Sequence, residues 1–218
     1  MLLNKYIDHT LLKPTATIKE IETLCSEALE YDFYAVCVNG CYVKTAKSVL
    51  NNSDVKIAAV IGFPLGAMST AAKIAEAEFC VADGADEIDM VINIGWLKSG
   101  ENKHVETEIS VIKKAIGNTV LKVIIETCYL SEEEKRASCL AAVNAKADFV
   151  KTSTGFGTGG ATPEDVKLMK EVVGDKLQIK ASGGIKDKKT ALNYISMLGV
   201  SRLGTSSGIA LLISKEEN

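Results

Sequence analysis

A single (β/α)8 barrel of the α/β class is the fold this sequence predicts, and three observations predict it. Short apolar, β-branched runs recur along the 218 residues and alternate with stretches of helical periodicity, the signature of a parallel sheet. Some of those runs carry acids and lysines on one face, which an open sheet covered by helices on both sides would keep apolar. A hydrophobic content of 47% in a chain of this length supplies one core, so residues 1–218 are expected to form one domain.

The runs fall at residues 33–38, 55–63, 87–94, 121–127, 149–153, 177–181 and 201–204, and an eighth is expected at 7–11, where Asp8-His-Thr-Leu-Leu12 precedes the first helix. Helix starts are explicit. Thr17-Ile-Lys-Glu20 and Ser131-Glu-Glu-Glu134 read as capping boxes, and Thr162-Pro163 puts proline at a first helical position. The helix after Thr162 carries Val166, Met169, Val172 and Val173 on one face, and the helix from about Asp187 carries Ala191, Tyr194, Ile195 and Leu198. Periodicity alone also fits an open doubly wound sheet. The interior charges favour the barrel: in 87–93, Glu87, Asp89, Val91 and Asn93 oppose Ile88, Met90 and Ile92, and in 122–126 Lys122, Ile124 and Glu126 oppose Val123 and Ile125.

Composition excludes several classes of function. A net charge of −3 from interspersed acids and bases, with no basic block, argues against nucleic acid as a partner. Six cysteines without a Cys-x-x-Cys pair point to reduced thiols in the cytoplasm, with Cys37 as a core thiol. No run of about 18 uncharged apolar residues or signal-like start argues for a membrane or export. Two histidines, His9 and an exposed His104, are too few for a catalytic zinc, so no metal is expected. Segments 51–54 and 98–102 read as solvated loops.

Two lysines stand where barrel strands finish: Lys151 in Asp148-Phe-Val-Lys151 and Lys180 in Gln178-Ile-Lys180. Either alone could simply extend its ammonium into water. Together with Asp89 they fit one site, because active sites of this fold gather at the C-terminal face of the strands. An isolated amine, with a reference pKa of about 10.4, is almost wholly protonated at neutral pH and cannot attack a carbonyl. A neighbouring ammonium and partial desolvation would free the Lys151 amine, with Lys180 as the natural perturber.

Glycine-rich turns supply the binding surface. Gly155-Phe-Gly-Thr-Gly-Gly160 matches Gly-x-Gly-x-x-Gly, but Glu164 and Asp165 at the following helix start would repel a pyrophosphate. The segment is therefore expected to be a mobile substrate loop, beginning at Thr154 and Gly155. Ser182-Gly-Gly184 and Gly204-Thr-Ser-Ser-Gly208 follow the last two strands, the usual phosphate position of a barrel, and nominate Gly183, Gly184, Ser206 and Ser207 for a monophosphate.

The strings Ile7-Asp-His-Thr-Leu-Leu-Lys13, Ala35-Val-Cys-Val-Asn39, Glu87-Ile-Asp-Met-Val-Ile-Asn93, Lys122-Val-Ile-Ile-Glu-Thr127, Phe149-Val-Lys-Thr-Ser-Thr-Gly155 and Ile179-Lys-Ala-Ser-Gly-Gly184 together resemble the deoxyribose-phosphate aldolase family over essentially the whole chain. That resemblance implies a metal-independent class I lyase, with Lys151 forming a Schiff base and Asp89 and Lys180 as proton-transfer partners. It implies reversible cleavage of 2-deoxy-D-ribose 5-phosphate to acetaldehyde and D-glyceraldehyde 3-phosphate, without a cofactor, in nucleoside catabolism. The expected partners are these small molecules, with a homodimer left open as the assembly. Two positions depart from the family pattern: Gly40 stands where proline is common, and the chain ends in Asn218 without a terminal tyrosine. Another phosphate-binding barrel enzyme, or a sugar-phosphate binder without catalysis, remains an alternative on the residues alone.

Overall fold

The computed structural model describes residues 2–213, so the C-terminal tail lies outside the described residues. Eight strands run β1 (Ile7–Leu11), β2 (Ala35–Asn39), β3 (Lys56–Ile61), β4 (Glu87–Val91), β5 (Val120–Ile124), β6 (Phe149–Lys151), β7 (Gln178–Ser182) and β8 (Arg202–Thr205). Each pairs in parallel with the next, and β8 pairs back onto β1, closing the barrel. Around it lie α1 (Ile18–Glu30), α2 (Val43–Val49), α3 (Thr70–Ala82), α4 (Ile94–Lys98), α5 (Asn102–Ile116), α6 (Glu132–Asn144), α7 (Pro163–Val173), α8 (Lys188–Ser196) and α9 (Gly208–Ile213). Among the described residues no helix is long and apolar enough to cross a membrane.

The capping signals act as the chemistry of the first turn requires. Thr17 and Ser131 accept from the backbones of Glu20 and Glu134, whose carboxylates reach back to the cap N–H groups. Thr162 accepts from Asp165 N with Pro163 at the first helical position, and Asp187 caps α8. Val166, Met169 and Val173 of α7 and Ala191, Tyr194 and Ile195 of α8 are buried on the barrel wall, whereas Leu198 lies past the end of α8. The run at 87–94 divides. The strand stops at Val91 because the Asn93 side chain accepts from Trp96 N at 3.2 Å and starts α4.

The alternation along each strand sorts the interior. Outward residues such as Val36, Ile57, Ile88, Val123 and Ile179 join the helix faces in one continuous core. Inside the barrel, Leu12, Cys37, Ala58 and Val60 form a small apolar patch on the β2–β3 side. Beside it the interior holds a cluster of buried acids and bases, with Phe149 packed near the Arg202 guanidinium. A separate buried pair, Lys73 of α3 and Glu108 of α5 at 2.7 Å, anchors those helices to the end of β4 through the Val91 carbonyl, 2.8 Å from Lys73 Nζ.

Candidate active site

Above the C-terminal ends of the strands lies a cavity of about 380 Å³. Lys151, Thr154, Gly155, Gly183, Gly184, Ser206 and Ser207 all line it. Asp89 and Lys180 lie directly beneath, with no exposed surface, and touch the Lys151 side through one shared oxygen.

Strand register brings these side chains together. Lys151 is the Cα partner of Lys180 and Lys180 of Arg202, while Asp89 partners Lys122. Lys151 Nζ and Lys180 Nζ each sit 2.8 Å from Asp89 Oδ2. Lys122 Nζ lies 2.7 Å from Asp89 Oδ1 and 2.6 Å from Glu87 Oε2. Arg202 Nη1 donates to Glu87 Oε2 at 3.2 Å and to Asp8 Oδ1 at 3.0 Å, and Asp8 Oδ2 pairs with Lys180. The result is a closed ring in which signs alternate: Asp89, Lys122, Glu87, Arg202, Asp8, Lys180 and back to Asp89. Lys151 hangs from Asp89 as a seventh member and faces the cavity.

Pairing outweighs burial in this ring. Burial pushes the Asp89 carboxyl up, but Lys122, Lys151 and Lys180 hold it well below the usual 3.8. Asp8 likewise ends below its ordinary value, with burial opposed by Lys180, Arg202 and Lys122. Burial pushes the Lys180 ammonium down, and Asp8 and Asp89 return it to above the usual 10.5. Lys122 is raised in the same way, burial being outweighed by Asp89 and Glu87. Asp8, Asp89, Lys122 and Lys180 are thereby each shifted toward the charged form. The seven groups are four cations and three carboxylates, and Lys151 is the cation with a single carboxylate contact.

The loops above are tied to one another. Buried Glu126 accepts from Thr154 N and from the Thr154 hydroxyl, and Thr154 Oγ1 in turn accepts from Phe156 N at 3.0 Å. Phe156 packs edge-on against Phe63, with ring centroids 5.3 Å apart. A Cβ at Gly160 would fall 2.3 Å from the Gly183 carbonyl oxygen, so only glycine lets these two backbones meet. Ala161 N donates to Ser182 O at 3.0 Å, and Thr205 Oγ1 donates to Ile185 O at 2.8 Å, joining the loops after β6, β7 and β8. The segment expected to be a mobile loop is tied down at both ends, with Gly157 and Gly160 in close approach to Cys128 and Gly183 and Gly155 at positive φ.

Comparison with known proteins agrees with this geometry. A family model described as DeoC/LacD family aldolase matches residues 2–209. The chain belongs to the DeoC/LacD aldolase family. A deoxyribose-phosphate aldolase of Finegoldia magna is 56% identical over 212 residues, covering 97% of this chain and 99% of the relative. One of Brevibacillus brevis is 54% identical, covering 97% and 96%. Among solved structures, the aldolase QR15 superposes with a TM-score of 0.92 at 44% identity, covering 96% of this chain and 93% of that one. A tetrameric deoxyribose phosphate aldolase from Aeropyrum pernix gives 0.87 at 32%, covering 96% and 89%.

Within this family member the sequence reading nominated three of the seven ionic groups and left out Asp8, Glu87, Lys122 and Arg202. Glu87 and Lys122 carried a signal, since both sit on strand faces already marked as polar. Lys13 and Lys186 also line the cavity mouth, the former 2.5 Å from Glu20. Both follow strand ends, which is the signal that could have found them. Cys37 is buried beneath the cavity, and burial raises its thiol, in keeping with a core role. His9 pairs with Glu27 at 2.6 Å, and among the described residues no group of three or more His, Cys, Asp or Glu side chains is placed to hold a metal ion.

Proposed function

We propose that this chain, as one catalytic domain over residues 1–218, cleaves 2-deoxy-D-ribose 5-phosphate reversibly to acetaldehyde and D-glyceraldehyde 3-phosphate through an imine on Lys151. The observation that carries the chemistry is the cavity-facing Lys151 amine held on the Asp89 oxygen that also binds Lys180. The substrate follows from the two curated relatives, alike over nearly their full length.

The amine adds to the substrate aldehyde and water leaves, giving a protonated imine. The C2–C3 bond then breaks, its electrons pass into the imine to form an enamine, and the C3 hydroxyl loses its proton as it becomes the aldehyde of the departing triose phosphate. Protonation of the enamine at C2 and hydrolysis release acetaldehyde and the free amine. Asp89 and Lys180 are the groups assigned to those proton transfers, being ionised neighbours of the reacting nitrogen. Gly183, Gly184, Ser206 and Ser207 are assigned to the phosphate, with Thr154 and Gly155 beside the sugar. On this reading the chain acts in deoxynucleoside breakdown in the cytoplasm, and a homodimer is the first assembly to test.

Borohydride added with acetaldehyde should inactivate the enzyme irreversibly and leave an ethyl group on Lys151 by peptide mass mapping, while chelators leave activity unchanged. An adduct on another lysine defeats the assignment. The phosphate turns have their own test. Ser207→Asp places a carboxylate against a dianion and should raise KM for the phosphorylated sugar at least about tenfold more than for 2-deoxyribose. An equal loss on both substrates counts against this phosphate site.

A further inference from the structure

We propose that Arg202 and Glu87, at the end of the ionic ring farthest from the cavity, are positioning residues that keep the ring in charge balance and so leave Lys151 as the one amine the ring does not need as a cation. This rests on the imine reading of Lys151 and adds to it two residues that touch no substrate.

Arg202 is the first residue of β8 and Glu87 the first of β4, whereas Lys151 ends β6. The two are joined to the Lys151 side by two routes, one through Lys122 and Asp89, the other through Asp8, Lys180 and Asp89. The Arg202 charge is fixed. The Arg202 guanidinium lies 3.4 Å from the Tyr34 ring centroid, with Phe149 at 5.5 Å, and a guanidinium keeps its proton at any working pH. Glu87 is buried against both Lys122 and Arg202. The charged groups around Lys151 are Asp89 on β4, Lys122 on β5, Lys180 on β7, Asp8 on β1 and Arg202 on β8, all unchanged in the variants below except as stated, with Lys13 and Lys186 lining the same cavity above. Cys37 on β2 faces the same space as a neutral thiol, and Glu126 beyond β5 is turned to Thr154.

The count gives opposite signs for the two ends of one ion pair. Removing the Arg202 charge leaves three carboxylates on Lys122, Lys180 and Lys151, so the ring recruits Lys151 as a counter-ion. Removing the Glu87 charge leaves two carboxylates under four cations and drives the proton off Lys151. A residue that merely held the barrel together would slow the reaction without moving its pH dependence in either direction.

The experiment measures the initial rate of imine formation with acetaldehyde across pH, each sample quenched with borohydride and the adduct on Lys151 quantified by mass spectrometry. Relative to the wild-type protein, the midpoint should rise by about one pH unit in Arg202→Met and fall by a similar amount in Glu87→Gln, a tenfold change in free amine each way. The double variant should return toward the wild-type midpoint, and Arg202→Lys should hold it even with lowered thermal stability. Shifts of the same sign in Arg202→Met and Glu87→Gln, or no shift in either, overturn the proposal. If Arg202→Met does not fold, the sign of the Glu87→Gln shift decides. Absence of any Lys151 adduct in the wild-type protein overturns the imine reading instead.

Discussion

Lys151→Met is expected to lose cleavage activity on the order of 10,000-fold or more while the protein remains as stable as the parent. The loss follows from removing the cavity-lining amine that contacts Asp89, without which no electron-withdrawing imine can form there. The retained stability follows from the ring. Asp89 keeps Lys122 at 2.7 Å and Lys180 at 2.8 Å, and the six remaining members are balanced without the seventh. Lys151→Arg should be equally inactive, because a guanidinium keeps its proton and cannot add to a carbonyl. Triose phosphate release measures the activity and urea unfolding the stability. A residual rate within a hundredfold of wild type would place the nucleophile elsewhere, and a destabilisation beyond about 2 kcal/mol would show that the ring needs Lys151 after all.

Lys180→Leu should behave in the opposite way, costing stability and activity together. It removes the buried cation hydrogen-bonded to both Asp8 and Asp89, leaving Lys122 4.0 Å from Asp8, and breaking such a pair costs about 3–5 kcal/mol. Lys151 then becomes a necessary counter-ion. Imine trapping at neutral pH should fall, by roughly a hundredfold for a shift of two units, and should recover as pH rises. Turnover should recover less, since leucine transfers no proton at any pH. The comparison is the pH dependence of acetaldehyde trapping at Lys151 in the variant and the parent, with urea unfolding alongside. Curves that share a midpoint would remove Lys180 as a tuner of the nucleophile and leave it a proton-transfer role.

The sequence made the strands legible through local signals. β-branched runs and alternation are properties of neighbours in the chain, and β1 matches its expected bounds at Ile7–Leu11. Lys151, Lys180 and Asp89 were legible because charges inside apolar runs are conspicuous. Their partners were not, for two reasons. Lys122 meets Asp89 only through the register of β4 on β5, which periodicity does not specify. Arg202 meets Asp8 across 194 positions, a contact that exists only once the last strand closes on the first. The Gly155–Gly160 loop was only partly legible for a related reason: glycine reads as freedom in a sequence, while Gly160 also serves to let two backbones touch.

That closure also bears on how the polypeptide is made. Asp8 on β1 is made long before its partners Lys180 and Arg202, so a nascent chain cannot pair this carboxylate with them until β7 and β8 have left the ribosome. Early strands can collapse around the apolar patch of Cys37, Ala58 and Val60, yet the ionic side must stay wet until β8 arrives. The first four strands alone would carry Asp8, Glu87 and Asp89 without any ring cation, the first of which, Lys122, arrives on β5. For this barrel, assembly from separately folded halves is electrostatically disfavoured, and the interior is complete only once β8 has closed onto β1.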